Sequence, residues 1–104
     1  RQFNRNGELF DKGETFSGVP YNAGLAAVDA LRPLVPSNAT LTQFALRWLL
    51  MFDAVTCAIP GAKSPKQALE NAKAADVAPL DAQTMAGVTA VYDQHIRNYV
   101  HGQW

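Results

Sequence analysis

This 104-residue chain has one cysteine, two histidines and no surplus of either charge. The lone Cys57 excludes a disulfide framework, and its place inside an apolar run predicts a small buried hydrophobe. Nine Lys and Arg balance nine Asp and Glu. No basic run and no interleaving of basic with aromatic residues is found, which argues against nucleic acid and anionic membrane as partners. Long apolar runs are also missing. The most apolar window, Leu46 to Phe52, contains Arg47 and is followed by Asp53, so it reads as a core helix and not a membrane span. No secretory signal is visible, and a reducing, cytoplasmic setting is the default expectation. Low-complexity stretches are scarce and 48% of residues are hydrophobic, which fits one globular unit and argues against disorder. No metal site is assigned. The chain begins at Arg1 without a Met or a recognisable domain start, and the expectation is that it is cut from something longer.

Residues 1–21 are read as a loop, since Phe3, Phe10 and Phe16 follow no period of 2 or 3.6. Residues 22–53 are read as helices. The first has Asn22 as its cap and Leu25, Val28 and Leu31 on one stripe, ending at Pro33 and Pro36. The second opens on a capping box of Thr40 and Gln43 and carries an apolar stripe of Leu41, Phe44, Ala45, Trp48 and Phe52, widened by Leu46, Leu49 and Leu50. Such a girth predicts burial on several sides. Residues 54–60 are apolar on both faces except at Thr56, the pattern of a central strand in a parallel sheet. Ser64 then caps a helix over 65–76 with Ala68, Leu69, Ala72 and Ala75 facing inward. Asp81 caps a last helix over 81–100 with Met85, Val88, Tyr92, Ile96 and Tyr99 on one stripe.

A single buried-type strand leaves two rows of backbone donors and acceptors to be satisfied, so other strands must flank it. A strand end that runs through Pro60 and Gly61 into Ser64, Pro65 and Gln67 also places unpaired amides and the positive end of a helix dipole beside Lys63. An anionic group suits that junction. Ser64 and Gln67 alone need be no more than a capping box, and Glu70 with Asn71 no more than a solvated helix face.

The ordered series Gly24, Leu25, Ala26, Leu31, Arg32, Pro33, Thr40, Leu41, Gln43, Ala45, Leu46, Arg47, Trp48, Leu49, then Val55, Ile59, Pro60, Gly61, Ala62, Lys63, Ser64, Gln67, Glu70, Asn71, Ala75 and Leu80 resembles the C-terminal part of the aldo-keto reductase family. The resemblance implies an α/β parent: a (β/α)8 TIM barrel whose last quarter this chain would be, the fragment itself mostly helical with one short strand. A complete barrel takes about 250 residues and carries its active site at the C-terminal ends of its strands. Residues 60–64 would lie on that face.

The resemblance further implies that Gly61, Ala62, Lys63, Ser64, Gln67, Glu70 and Asn71 carry the adenosine 2′-phosphate side of an NADPH site. Gly61 would admit the cofactor's approach, Lys63 and Ser64 would hold the 2′-phosphate, and Gln67, Glu70 and Asn71 would read the base or ribose. Some branches of the family have arginine where Gln67 stands. The parent would reduce a small-molecule carbonyl. The family's catalytic Asp, Tyr, Lys and His lie on earlier strands, so no catalytic residue is assigned here; Tyr92, Lys63 and His95 do not match them, and the chain alone is expected to be inactive. Family tails also suggest Tyr99, His101 and Trp104 as substrate-pocket linings. The rival readings are a non-catalytic nucleotide-binding or interaction module of the same fold, and a small helical unit that self-associates or packs against the missing barrel.

Overall fold

A computed structural model describes residues 18–103 of the chain. The loop reading of residues 1–17 and the role suggested for Trp104 lie outside the described residues. The chain reads as one unit in sequence, but it divides into two compact units, Arg1–Pro33 with Gly87–Trp104, and Leu34–Ala86. Each is taken by itself.

In the unit Leu34–Ala86, α2 (Leu41–Leu49) starts on Thr40, whose hydroxyl accepts the Gln43 amide at 3.1 Å while the Gln43 side-chain oxygen accepts the Thr40 amide at 3.0 Å. Both halves of the box are made, satisfying two of the orphan donors at the helix start. The core forms where α2 meets α3 (Pro65–Ala72) and the 3-10 turn Lys73–Asp76. Phe44 is 2% exposed, and Ala74, Val77 and Leu80 are buried with it. Gln43 is 8% exposed, and its amide nitrogen donates to the Glu70 carbonyl at 3.0 Å, tying α2 to the second half of α3. The Leu80 amide finds the Met51 sulfur at 3.3 Å.

Three expectations fail here for one reason. Residues 55–60 run without regular structure, and no strand occurs among the described residues. Strand structure is defined by ladder partners, and none is supplied, so this segment stays unpaired. Cys57, expected to be buried, is exposed, and Ile59 is 94% exposed. The supposed inner face of α3 has nothing to lie on: Leu69 is 65% exposed, and Ala68, Ala72 and Ala75 are exposed with it. The broad girth of α2 is also only partly covered, leaving Leu49 and Phe52 exposed, although the Trp48 and Phe52 rings meet edge-on with centroids 4.8 Å apart.

In the other unit, α1 (Tyr21–Leu31) buries Ala27 and runs into the 3-10 turn Arg32–Leu34, whose Leu34 falls beyond this unit's boundary. Asn22 is not its cap. The helix begins one residue earlier after Pro20, which offers no side-chain acceptor, and Gly24 closes the first turn on the Pro20 carbonyl at 3.1 Å. The last helix is not continuous either. It forms as α4 (Ala82–His95), whose residues 82–86 belong to the unit Leu34–Ala86, and α5 (Arg97–Val100), followed by the 3-10 turn His101–Gln103. Ile96 separates them: its φ of −119° departs from the usual helical value, although its amide still donates to the Tyr92 carbonyl at 2.9 Å.

Candidate functional site

The residues from Gly61 to Asn71 come together as an exposed turn leading into a helix. Pro60 stops any regular continuation of the preceding segment, and Pro65 sits at the first helical position, where a missing N–H costs nothing. Ser64, with φ −150° and ψ 156°, is the cap, its hydroxyl accepting the Gln67 amide at 3.2 Å. The Gln67 side chain does not close the usual reciprocal bond to the cap residue. It reaches one residue further and accepts the Lys63 amide at 2.7 Å. From the last turn of α3, the Asn71 amide nitrogen donates to the Gly61 carbonyl at 3.2 Å.

Both carboxamides therefore brace the turn from Gly61 to Ser64 against α3. Each keeps unspent capacity: Gln67 its NH2 and Asn71 its carbonyl oxygen. The Ser64 and Lys66 amides have no protein acceptor among the described residues. The Lys63, Lys66 and Glu70 side chains make no ion pair with the described part of the protein. At Gly61 an added Cβ would meet nothing within 4 Å, so the backbone is open to approach on that side. The turn thus offers unpaired N–H groups, a helix N-terminus and two lysines on an exposed surface, a set of groups suited to an anion. No cluster of ligands for a metal ion occurs among the described residues.

Behind the turn lies a hollow of about 420 Å³ lined by Leu46, Leu50, Cys57, Pro60 and the α3 residues Ala68 and Asn71. It is mostly apolar, and Asn71 joins it to the turn. In the other unit a cleft of about 500 Å³ lies among Pro20, Asn22, Gln94, His95, Asn98 and Tyr99. Of the tail residues suggested as substrate linings, Tyr99 borders this cleft, while His101 is engaged with Tyr92, its Nδ1 2.9 Å from the Tyr92 hydroxyl.

Two connections escaped the sequence reading. The Gln43 to Glu70 bond was hidden because a capping-box glutamine has no feature that marks it as buried. The Tyr92 to His101 pair joins positions on opposite faces of any continuous helix, so periodicity argued against it. The remaining acidic cap behaves as its sequence suggests: Asp81 Oδ1 accepts the Thr84 amide at 2.7 Å, and that backbone bond, followed by the Thr84 side-chain bond, holds the Asp81 carboxyl below the usual aspartate value.

No helix among the described residues is long and apolar enough to cross a membrane. The sequence model of the aldo/keto reductase family matches residues 1–93 of the chain. No curated protein and no solved structure gives a match.

Proposed function

We propose that this chain, which belongs to the aldo/keto reductase family, carries the adenosine 2′-phosphate side of an NADPH site in a cytoplasmic carbonyl reductase. Family membership brings a TIM-barrel parent and reductase-type chemistry on small-molecule carbonyls. The finer assignment rests on the turn from Gly61 to Ser64. Its braced backbone leaves the Ser64 and Lys66 amides and the Lys63 ammonium without partners at a helix start, and Gly61 leaves the approach open.

The bound cofactor would supply the hydride. The residues here would supply grip and discrimination. Lys63 and the Ser64 and Lys66 amides would hold a dianionic phosphate through charge-assisted bonds, favouring NADPH over its unphosphorylated analogue. Gln67 would use its free NH2, Asn71 its free carbonyl oxygen and Glu70 its carboxylate toward the ribose or base, while Ala62 would present only backbone. Lys63 would act as a point charge, tolerant of phosphate orientation. The acid that protonates the carbonyl oxygen would come from barrel strands that this chain does not supply.

The same reading accounts for the bare surfaces. Ile59, Leu69 and the unpaired residues 55–60 are where neighbouring barrel strands would add their hydrogen bonds and apolar cover, and where an isolated chain would self-associate. Lys63→Ala in the full-length protein tests the cofactor assignment. NADPH affinity should fall by about 1 to 3 kcal/mol while NADH affinity stays level. Equal losses for both would assign Lys63 a structural role and overturn the phosphate contact.

A further inference from the structure

We infer that the C-terminal turn His101–Gln103 is a strap over the start of α1, fastened by the hydrogen bond between Tyr92 and His101. Gly18, just ahead of α1, has φ +87°, the left-handed region that favours glycine. A Cβ at that position would lie 3.2 Å from Val100 Cγ1 and 3.6 Å from the side-chain amide of Gln103. The backbone at residue 18 is therefore closed in by the last turn of the chain, tightly enough to crowd a methyl group. Val100 is itself one of the buried apolar residues of this unit.

Something must hold Val100 and Gln103 in place. The break at Ile96 reduces α5 to four residues, far too few to be stable by their own hydrogen bonds. Two side-chain bonds supply the fastening. Gln103 donates its amide to the Tyr99 carbonyl at 3.3 Å, which fixes the group facing Gly18. Tyr92, on α4, places its hydroxyl 2.9 Å from His101 Nδ1, with the rings edge-on and their centroids 6.0 Å apart. In an unbroken helix, residues nine apart sit on opposite faces and about 13 Å apart along the axis. The pair therefore exists only because the chain turns at Ile96, and it holds that turn. The ion pair of Arg97 with Asp93, at 3.0 Å, spans the same break. Tyr92 and His101 thus act as positioning residues for Gly18, the junction through which residues 1–17 join α1. This assignment does not depend on the cofactor reading.

Hydrogen exchange on the full-length protein tests it, with peptides covering residues 18–24 and 97–103 and with α2 as the internal reference. Tyr92→Phe removes a single oxygen and keeps the ring. It should speed exchange about threefold to tenfold in both peptides, as expected for one partly exposed hydrogen bond, and leave α2 unchanged. His101→Leu should do the same, and the double variant should be no faster than either single one. His101→Asn, which puts an amide near the Nδ1 position, should restore slow exchange. Unchanged exchange at 18–24 in Tyr92→Phe, acceleration confined to 97–103, or His101→Asn as fast as His101→Leu would each overturn the strap.

Discussion

Thr40 to Gln43 and Ser64 to Gln67 have the same four-residue grammar, a hydroxyl cap and a glutamine three residues on, yet they do different work. At Thr40 the box closes on itself, and its glutamine is buried and spends its remaining donor on the Glu70 carbonyl. At Ser64 the glutamine is exposed and overshoots the cap to hold the Lys63 amide, leaving the Ser64 amide unpaired. The first is a structural joint and the second a scaffold for a turn. The difference comes from the residues that precede each cap. The chain from Pro60 and Gly61 reaches Ser64 through a bend that no backbone hydrogen bond closes, whereas Ala39 reaches Thr40 from a turn closed on the Pro36 carbonyl. A capping box therefore specifies where a helix starts but not whether that start faces the core or solvent.

The largest perturbation lies on the structural side. Phe44→Ala truncates the largest of the buried side chains described, beside the Thr40 joint, and should lower stability by about 3 to 5 kcal/mol in chemical denaturation. A loss under about 1 kcal/mol would mean that α2 is not the centre of this unit. The two glutamines provide the direct contrast. Gln43→Ala removes a cap acceptor and strands the Glu70 carbonyl, and should cost about 1 to 3 kcal/mol; Gln67→Ala removes one exposed bond and should cost about 0.5 to 1 kcal/mol. Equal costs would erase the distinction between joint and scaffold. Gln67→Ala should also loosen the turn from Gly61 to Ser64, visible as faster exchange at the Lys63 amide with α2 unaffected.

How much of this was legible follows from the range of the interactions involved. Capping is local, so Thr40, Ser64, Pro65 and Asp81 marked their helix starts from sequence. The site residues could be grouped for the same reason, since Gly61 to Asn71 span a single turn and helix. The reading of residues 54–60 as a strand failed because that structure depends on neighbours that the described residues do not include. Cys57 and Leu69 were misjudged along with it, since their burial was inferred from the absent sheet. Asn22 falls inside the first turn, because the helix begins at Tyr21 after Pro20 with no side-chain cap. The Ile96 break was illegible because nothing in its local sequence opposes helix, and the Tyr92 and His101 pair that accompanies it is brought together only by the fold.

Asp81 extends the comparison to a third helix start, one whose cap can titrate. Neither Thr40 nor Ser64 changes charge with pH, so their helices should be indifferent to acid at the cap. The Asp81 carboxylate accepts the Thr84 amide, and this bond holds its pKa below the ordinary aspartate value. A depressed folded pKa means that the ionised cap contributes its full stabilisation above the unfolded value and loses it as pH falls through the folded one. The first turn of α4 should therefore fray below about pH 4, reported by accelerated exchange at Thr84 after correction for the intrinsic pH dependence, while the Gln43 and Gln67 amides keep their protection. Asp81→Asn, which retains an acceptor oxygen but has no charge to lose, should abolish this pH dependence. The effect is the smallest of the set because Asp81 is fully exposed and solvent screens its charge. If the Asp81→Asn variant frayed over the same interval, the acid response would belong to another group.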